Sequence, residues 1–116
     1  MPTIARVWRG ATPPTKADAY YEHLMKTGVS DARATPGNQG VFILRRVCDG
    51  QAEFMVLSLW ESAEAVRQFA GERIERPVHY AEDAQYLVDS EPTVRHYQVL
   101  QAPERLESPA PAPAAS

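Results

Sequence analysis

The chain has 116 residues, is 44% hydrophobic and carries a net charge of −3 with both signs mixed along its length. That size suits one domain with a core large enough to fold without staples. No basic stripe marks a nucleic-acid surface, and the apolar runs are too short to span a bilayer.

The lone cysteine, Cys48, allows no disulfide within the chain and agrees with a reducing compartment. The opening residues, Met1 to Arg6, hold no apolar signal-peptide core. The expected location is cytoplasmic.

Ile4 to Arg9 is the first predicted strand, broken by Gly10 to Pro14. Thr15 is placed to cap the following helix, with Asp18 three residues on. Ala17, Tyr20, Tyr21, Leu24, Met25 and Gly28 share one helical face, and Gly28 suits a left-handed stop. His23 falls opposite that stripe and is expected in solvent. Thr35-Pro36-Gly37-Asn38 reads as a turn. Val41 to Val47 and Ala52 to Trp60 are strands two and three, joined at Asp49-Gly50 by a tight hairpin. Ser62 caps a second helix that carries Val66 and Phe69 and stops at Gly71. Residues 72 to 91 are irregular, with one short helix expected around Glu82 to Leu87. Thr93 to Leu100 is the fourth strand. Residues 1–101 form the predicted domain, and the Pro/Ala-rich residues 102–116 are expected to be a disordered tail.

Two β-α-β units around a central hairpin predict an α+β, ferredoxin-like βαββαβ antiparallel sheet with both helices on one face. Val41 to Leu44 and Phe54 to Leu57 are apolar at every position, whereas a sheet with one wet face alternates. The second face therefore needs a cover, and a homodimer supplies one.

Strand parity groups Ile4, Arg6 and Trp8; Phe54, Val56, Ser58 and Trp60; and Val94, His96 and Gln98. If the three sets share a face, aromatic and polar groups mix there as in a small-ligand pocket. The expected catalytic groups are Trp60, His79 and His96. The expected substrate-binding groups are Arg6, Trp8, Tyr20, Ser58, Phe69 and Tyr80. Each has a plainer reading: the tryptophans as core or interface, Arg6 as one half of an ion pair, His96 as a hydrogen-bonded structural histidine, and Asp83 as a helix-start residue. No zinc-ligand spacing and no glycine-rich phosphate loop occur in the sequence. Cys48 has no activating partner in view.

Arg6-Val7-Trp8-Arg9-Gly10, Thr35-Pro36-Gly37-Asn38, Trp60-Glu61-Ser62, Phe69-Ala70-Gly71 and Val94-Arg95-His96-Tyr97 together give a chain that resembles the antibiotic biosynthesis monooxygenase family over residues 3 to 100. The resemblance implies a dimeric α/β barrel and one of two activities. One branch oxygenates quinol-like aromatic substrates without metal or flavin, the substrate itself supplying electrons to oxygen. The other binds and degrades haem, using a strand-one asparagine, a strand-three tryptophan and a haem-ligating histidine. Trp60 matches that tryptophan, but strand one here has Arg6 and Trp8 and no asparagine.

The leading expectation is a cofactor-independent monooxygenase acting on a small phenol or quinol. A tyrosine or a histidine of the pocket, such as His79 or His96, would take the phenolic proton, Trp8 and Trp60 would stack on the substrate, and Arg6 would stabilise the enolate or phenolate. The alternatives are a haem-binding or haem-degrading enzyme, a non-catalytic dimer that binds a small aromatic ligand, and a tautomerase-like enzyme using the amine of Pro2.

Overall fold

The structure is a computed structural model that describes residues 3–103. The tail beyond Pro103 and the Pro2 amine lie outside the described residues. The architecture is α+β: an open five-stranded antiparallel sheet with its helices packed on one face.

Strands β1 (Ile4–Thr12), β2 (Asn38–Cys48) and β3 (Gln51–Trp60) form its body in the order β2-β3-β1. The last strand of the ferredoxin-like order is split into β4 (Asp89–Ser90) and β5 (Arg95–Gln98), both paired with β1. The helices are α1 (Ala17–Lys26), α2 (Gly28–Ala34) and α3 (Ala63–Ala70).

Register sorts the faces. Arg6 pairs with Ser58 and with His96, Trp8 with Val56, and Gly10 with Phe54. The even positions of β1, β3 and β5 therefore point together, joined by the odd positions of β2, since Ile43 pairs with Val56. The helices cover this face. Tyr20, Leu24 and Val29 pack on Ala52 and Phe54, and Ala65 and Val66 on Trp60. The sequence parity sets thus share one face.

The opposite face presents Val7, Phe42, Leu44, Met55, Leu57 and Tyr97. No element among the described residues packs over it, and Leu44 and Tyr97 are 48% and 52% exposed. Arg9 and Arg46 both donate to Glu53 at its hairpin end and pull that carboxyl below its usual range.

Local signals behave unevenly. Ser62 caps α3, accepting from the Ala65 N–H at 3.1 Å, and Gly71 ends it at φ 87°. Asp49 and Gly50 both have positive φ, as a two-residue hairpin of this type requires.

Three expectations are corrected. Gly10 does not break β1, which runs on to Thr12; the missing side chain makes room for the Trp8 indole, which a Cβ would meet at 2.5 Å. Thr15 caps nothing: Pro14–Lys16 is a 3-10 turn, and α1 starts without a side-chain cap. Gly28 does not stop the helical run. Thr27 takes the irregular backbone instead, and Gly28 opens α2.

Candidate functional site

Between α3 and β5 the chain runs for some twenty residues without a helix or long strand, apart from a 3-10 turn at Ala81–Gln85. This strap crosses the helix-side face and is pinned by polar side chains from four places. Arg6 on β1 donates to the backbone carbonyls of Ile74 and Arg76. Asp31 on α2 accepts from the Tyr80 hydroxyl. His23 on α1 meets Asp83 at 2.6 Å. Lys16 donates to the Gln85 carbonyl at 2.8 Å. The carbonyls of an irregular segment need partners when they face a core, and these side chains supply them.

Under the strap lies a mostly apolar cavity of about 80 Å³. Arg6 and Trp8 enter from β1, Val56 and Ser58 from β3, Tyr20 and Leu24 from α1, and Phe69 from α3. Pro77, Val78, His79, Tyr80 and Asp83 come from the strap. The six expected binding residues therefore all line one cavity, together with His79.

Its two ends differ. At one end Arg6, only 5% exposed, lies with its guanidinium 5.8 Å from the Phe69 ring centre. That ring stacks on Trp60 at 5.4 Å. Arg6 Nη1 also lies 3.1 Å from His96 Nε2. Among the described residues no carboxylate is within ion-pair distance of Arg6, and burial lowers its pKa to about 10. Burial, then the charge of Arg6, lowers the pKa of His96 and favours neutral imidazole.

At the other end Tyr20 packs edge-on against Phe54 at 5.0 Å. There Asp83 is held by His23 and by the Tyr80 N–H at 3.0 Å, with His79 Nδ1 at 4.0 Å. Burial, then the Asp83 charge, raises the pKa of Tyr20; burial, then Asp31, raises that of Tyr80. Both phenols therefore stay protonated.

Between the ends the Trp8 Nε1–H is buried and has no acceptor among the described residues. Such an orphan is uncommon, because a buried donor without a partner costs about 1–3 kcal/mol.

Two expected residues stay outside the lining. Trp60 is fully buried behind it and donates Nε1–H to Ser58 Oγ at 2.8 Å. His96 sits behind Arg6. His23 is corrected: its side chain is 9% exposed and stacks on Tyr86 at 5.2 Å, because the strap covers the outer side of α1. Sequence reasoning missed the His23–Asp83 pair. In sequence Asp83 reads as a helix-start residue, which it also is, since it caps the 3-10 turn.

Haem is the cofactor raised by the family resemblance. His79, the one histidine lining the cavity, stands at the rim with its side chain 62% exposed. That lining offers haem no buried axial histidine.

No family model and no curated protein matches the chain. Solved structures do. A Bacillus cereus protein provisionally named as an antibiotic biosynthesis monooxygenase is 14% identical with a TM-score of 0.63, covering 90% of this chain and all of its own. SnoaB, a cofactor-independent oxygenase from Streptomyces nogalater, is 14% identical with a TM-score of 0.62 over 90% of this chain and 100% of its own. MhuD, a haem degrader from Mycobacterium tuberculosis with two haems in its active site, is 19% identical with a TM-score of 0.55 over 85% of this chain and 97% of its own. The fold is thus that of the antibiotic biosynthesis monooxygenases, as the sequence resemblance implies. Identities this low carry the fold and leave the chemistry to the site.

Proposed function

We propose that the protein is a cofactor-independent monooxygenase acting on a small quinol- or phenol-like aromatic substrate. The observation that carries this reading is the cavity: aromatic walls, a buried guanidinium without an ion-pair partner and an indole N–H without an acceptor among the described residues, closed by a strap. The fold it shares with SnoaB adds support. The substrate ring lies against Trp8 and Phe69. His79 takes the phenolic proton. The positive charge of Arg6 offsets negative charge on the ligand in a medium that screens it poorly. The strap excludes water from the electron-rich anion. Where the keto tautomer presents a methylene carbon, that carbon loses both hydrogens and becomes a carbonyl. One atom of dioxygen enters the product, and the other leaves as water with the two hydrogens. The change balances without an external reductant, because the substrate supplies the electrons. Trp60 acts as a positioning residue, fixing Ser58 and the Phe69 ring.

The working unit is a homodimer in this proposal. Val7, Phe42, Leu44, Met55, Leu57 and Tyr97 form an apolar face, with the Arg9–Glu53–Arg46 charges at its edge. A second copy of the same face is self-complementary.

Oxygen uptake with a panel of naphthoquinols tests the reaction. Uptake above the uncatalysed rate is expected, falling about 100-fold or more in His79→Ala, the usual scale for a lost general base. Ligand binding with no uptake for any quinol would overturn the enzyme reading and leave a non-catalytic binding protein. A Soret shift on adding haem would move the assignment to haem chemistry.

A further inference from the structure

We infer that Asp83 is the positioning residue of His79: its carboxylate accepts the Nδ1–H of the imidazole and so leaves Nε2 as the bare, basic atom. The inference rests on the cavity being the oxygenase site proposed above, and it says how the base of that site is set.

The carboxylate is held from two sides and approached from a third. Asp83 Oδ1 lies 2.6 Å from His23 Nε2, and Oδ2 accepts the Tyr80 N–H at 3.0 Å. The same Oδ2 lies 4.0 Å from His79 Nδ1. Among the described residues Asp83 is the one carboxylate at ion-pair distance from His79. An ionised carboxylate has about four acceptor sites, so Oδ2 keeps room for a second donor. The pair closes across the 3-10 turn at Ala81–Gln85, which fixes how near the two side chains come.

The partners differ in freedom. The side chains of His23 and Asp83 are 9% and 14% exposed, and the His23 ring is stacked on Tyr86. His79 is mostly exposed, so its ring can turn onto a carboxylate that stays in place. Such contacts are commonly long in ligand-free sites and tighten in the complex. The nitrogen that donates keeps the proton, and the other keeps the lone pair. With Nδ1–H on Asp83, Nε2 takes the phenolic proton while the O–H electron pair stays on the ligand oxygen. The imidazolium that forms is paired at once with the carboxylate, and the exposed side of the ring passes the proton to solvent.

The other titratable groups nearby do not compete for this role. Burial, then the Asp83 charge, keeps the Tyr20 hydroxyl protonated; burial, then the hydrogen bond to Asp31, does so for Tyr80. His23 and His96 are not part of the cavity lining.

The test reads the tautomer in the ligand-free protein. The chain has three histidines, so nitrogen NMR of isotope-labelled protein in mildly alkaline buffer identifies His79 by the signals lost in His79→Gln. Wild type is expected to carry the proton on Nδ1. Asp83→Ala should shift it toward Nε2, and Asp83→Asn, which keeps an oxygen for Nδ1–H, should restore it. Asp31→Ala removes the Tyr80 pin of the strap and should leave the tautomer unchanged. With the naphthoquinols, Asp83→Ala should lower kcat about 100-fold or more with little change in KM, and adding Asp83→Ala to His79→Ala should cost nothing further. A wild-type proton on Nε2, a tautomer indifferent to Asp83→Ala, or an equal shift in Asp31→Ala overturns the inference. Oxygen uptake in any of those cases leaves the oxygenase reading standing. The expected tautomers with no uptake from any quinol do the reverse.

Discussion

Only neutral imidazole can accept the Arg6 Nη1–H at His96 Nε2; a proton there would set two cations 3.1 Å apart. Burial first, and Arg6 second, lower the folded-state pKa of His96 below its ordinary value near 6.5, against the smaller opposing effect of the Glu75 charge. On acidification the unfolded chain therefore binds this proton before the folded one does. The contribution to stability is complete above about pH 6.5 and is lost as the pH falls from there through the lowered folded value. Urea midpoints measured from pH 7.5 to 5 are expected to decline, and His96→Gln, which keeps an acceptor, should flatten that decline. Trp60 makes a second case. Replacing it with Phe loses ring volume and leaves the Ser58 hydroxyl without its donor, so a stability loss of about 1–3 kcal/mol is expected in urea denaturation. Period-two reading sufficed to put Arg6, Trp8, Ser58 and His96 on one face, because a strand alternates whatever surrounds it. It could not show that His23 is buried, since the residue that covers it, Asp83, lies sixty positions away and comes from a segment with no periodicity to read.

Among the elements, α3 is fixed by local chemistry at both ends, and its start also depends on a close approach. Gly37 has φ 95°, and a Cβ there would be 2.5 Å from the Ala65 Cβ. Gly37→Ala combines backbone strain with that clash and should cost about 2–4 kcal/mol, measured by thermal or urea unfolding. The strap is a different kind of element, held by separate polar pins rather than by a packed face. Removing the His23 pin with His23→Leu is expected to speed amide exchange across Tyr80–Leu87 while β1 and β3 keep their protection. Turn and cap signals such as Asp49-Gly50, Ser62 and Gly71 were legible because their hydrogen bonds close within a few residues. Thr15 and Gly28 misled because a 3-10 turn and the Thr27 kink, both shaped by packing, displaced the caps that local spelling favoured.

For the whole molecule, the proposed dimer rests on the open sheet face. The unbroken apolar runs of β2 and β3 make that face legible in the sequence, since an antiparallel sheet wet on one side alternates. Leu57→Arg puts a charge in the middle of the face without touching the helix side. A shift from dimer to monomer in analytical ultracentrifugation is expected, with the fold retained by circular dichroism; an unchanged mass would show that the face is not the contact.

The pairing of β1 carries a consequence for how the protein is made. β1 leaves the ribosome before the other described strands, yet one of its edges is completed only by β5, some ninety residues later. Arg6 precedes its carbonyl partners by some seventy residues and acquires them only when residues 74 and 76 arrive. The hairpin of β2 and β3 can assemble with β1 and the first helices well before that. The pocket is therefore finished late, and a nascent chain stalled before residue 74 would hold most of its core but not the strap that closes the cavity.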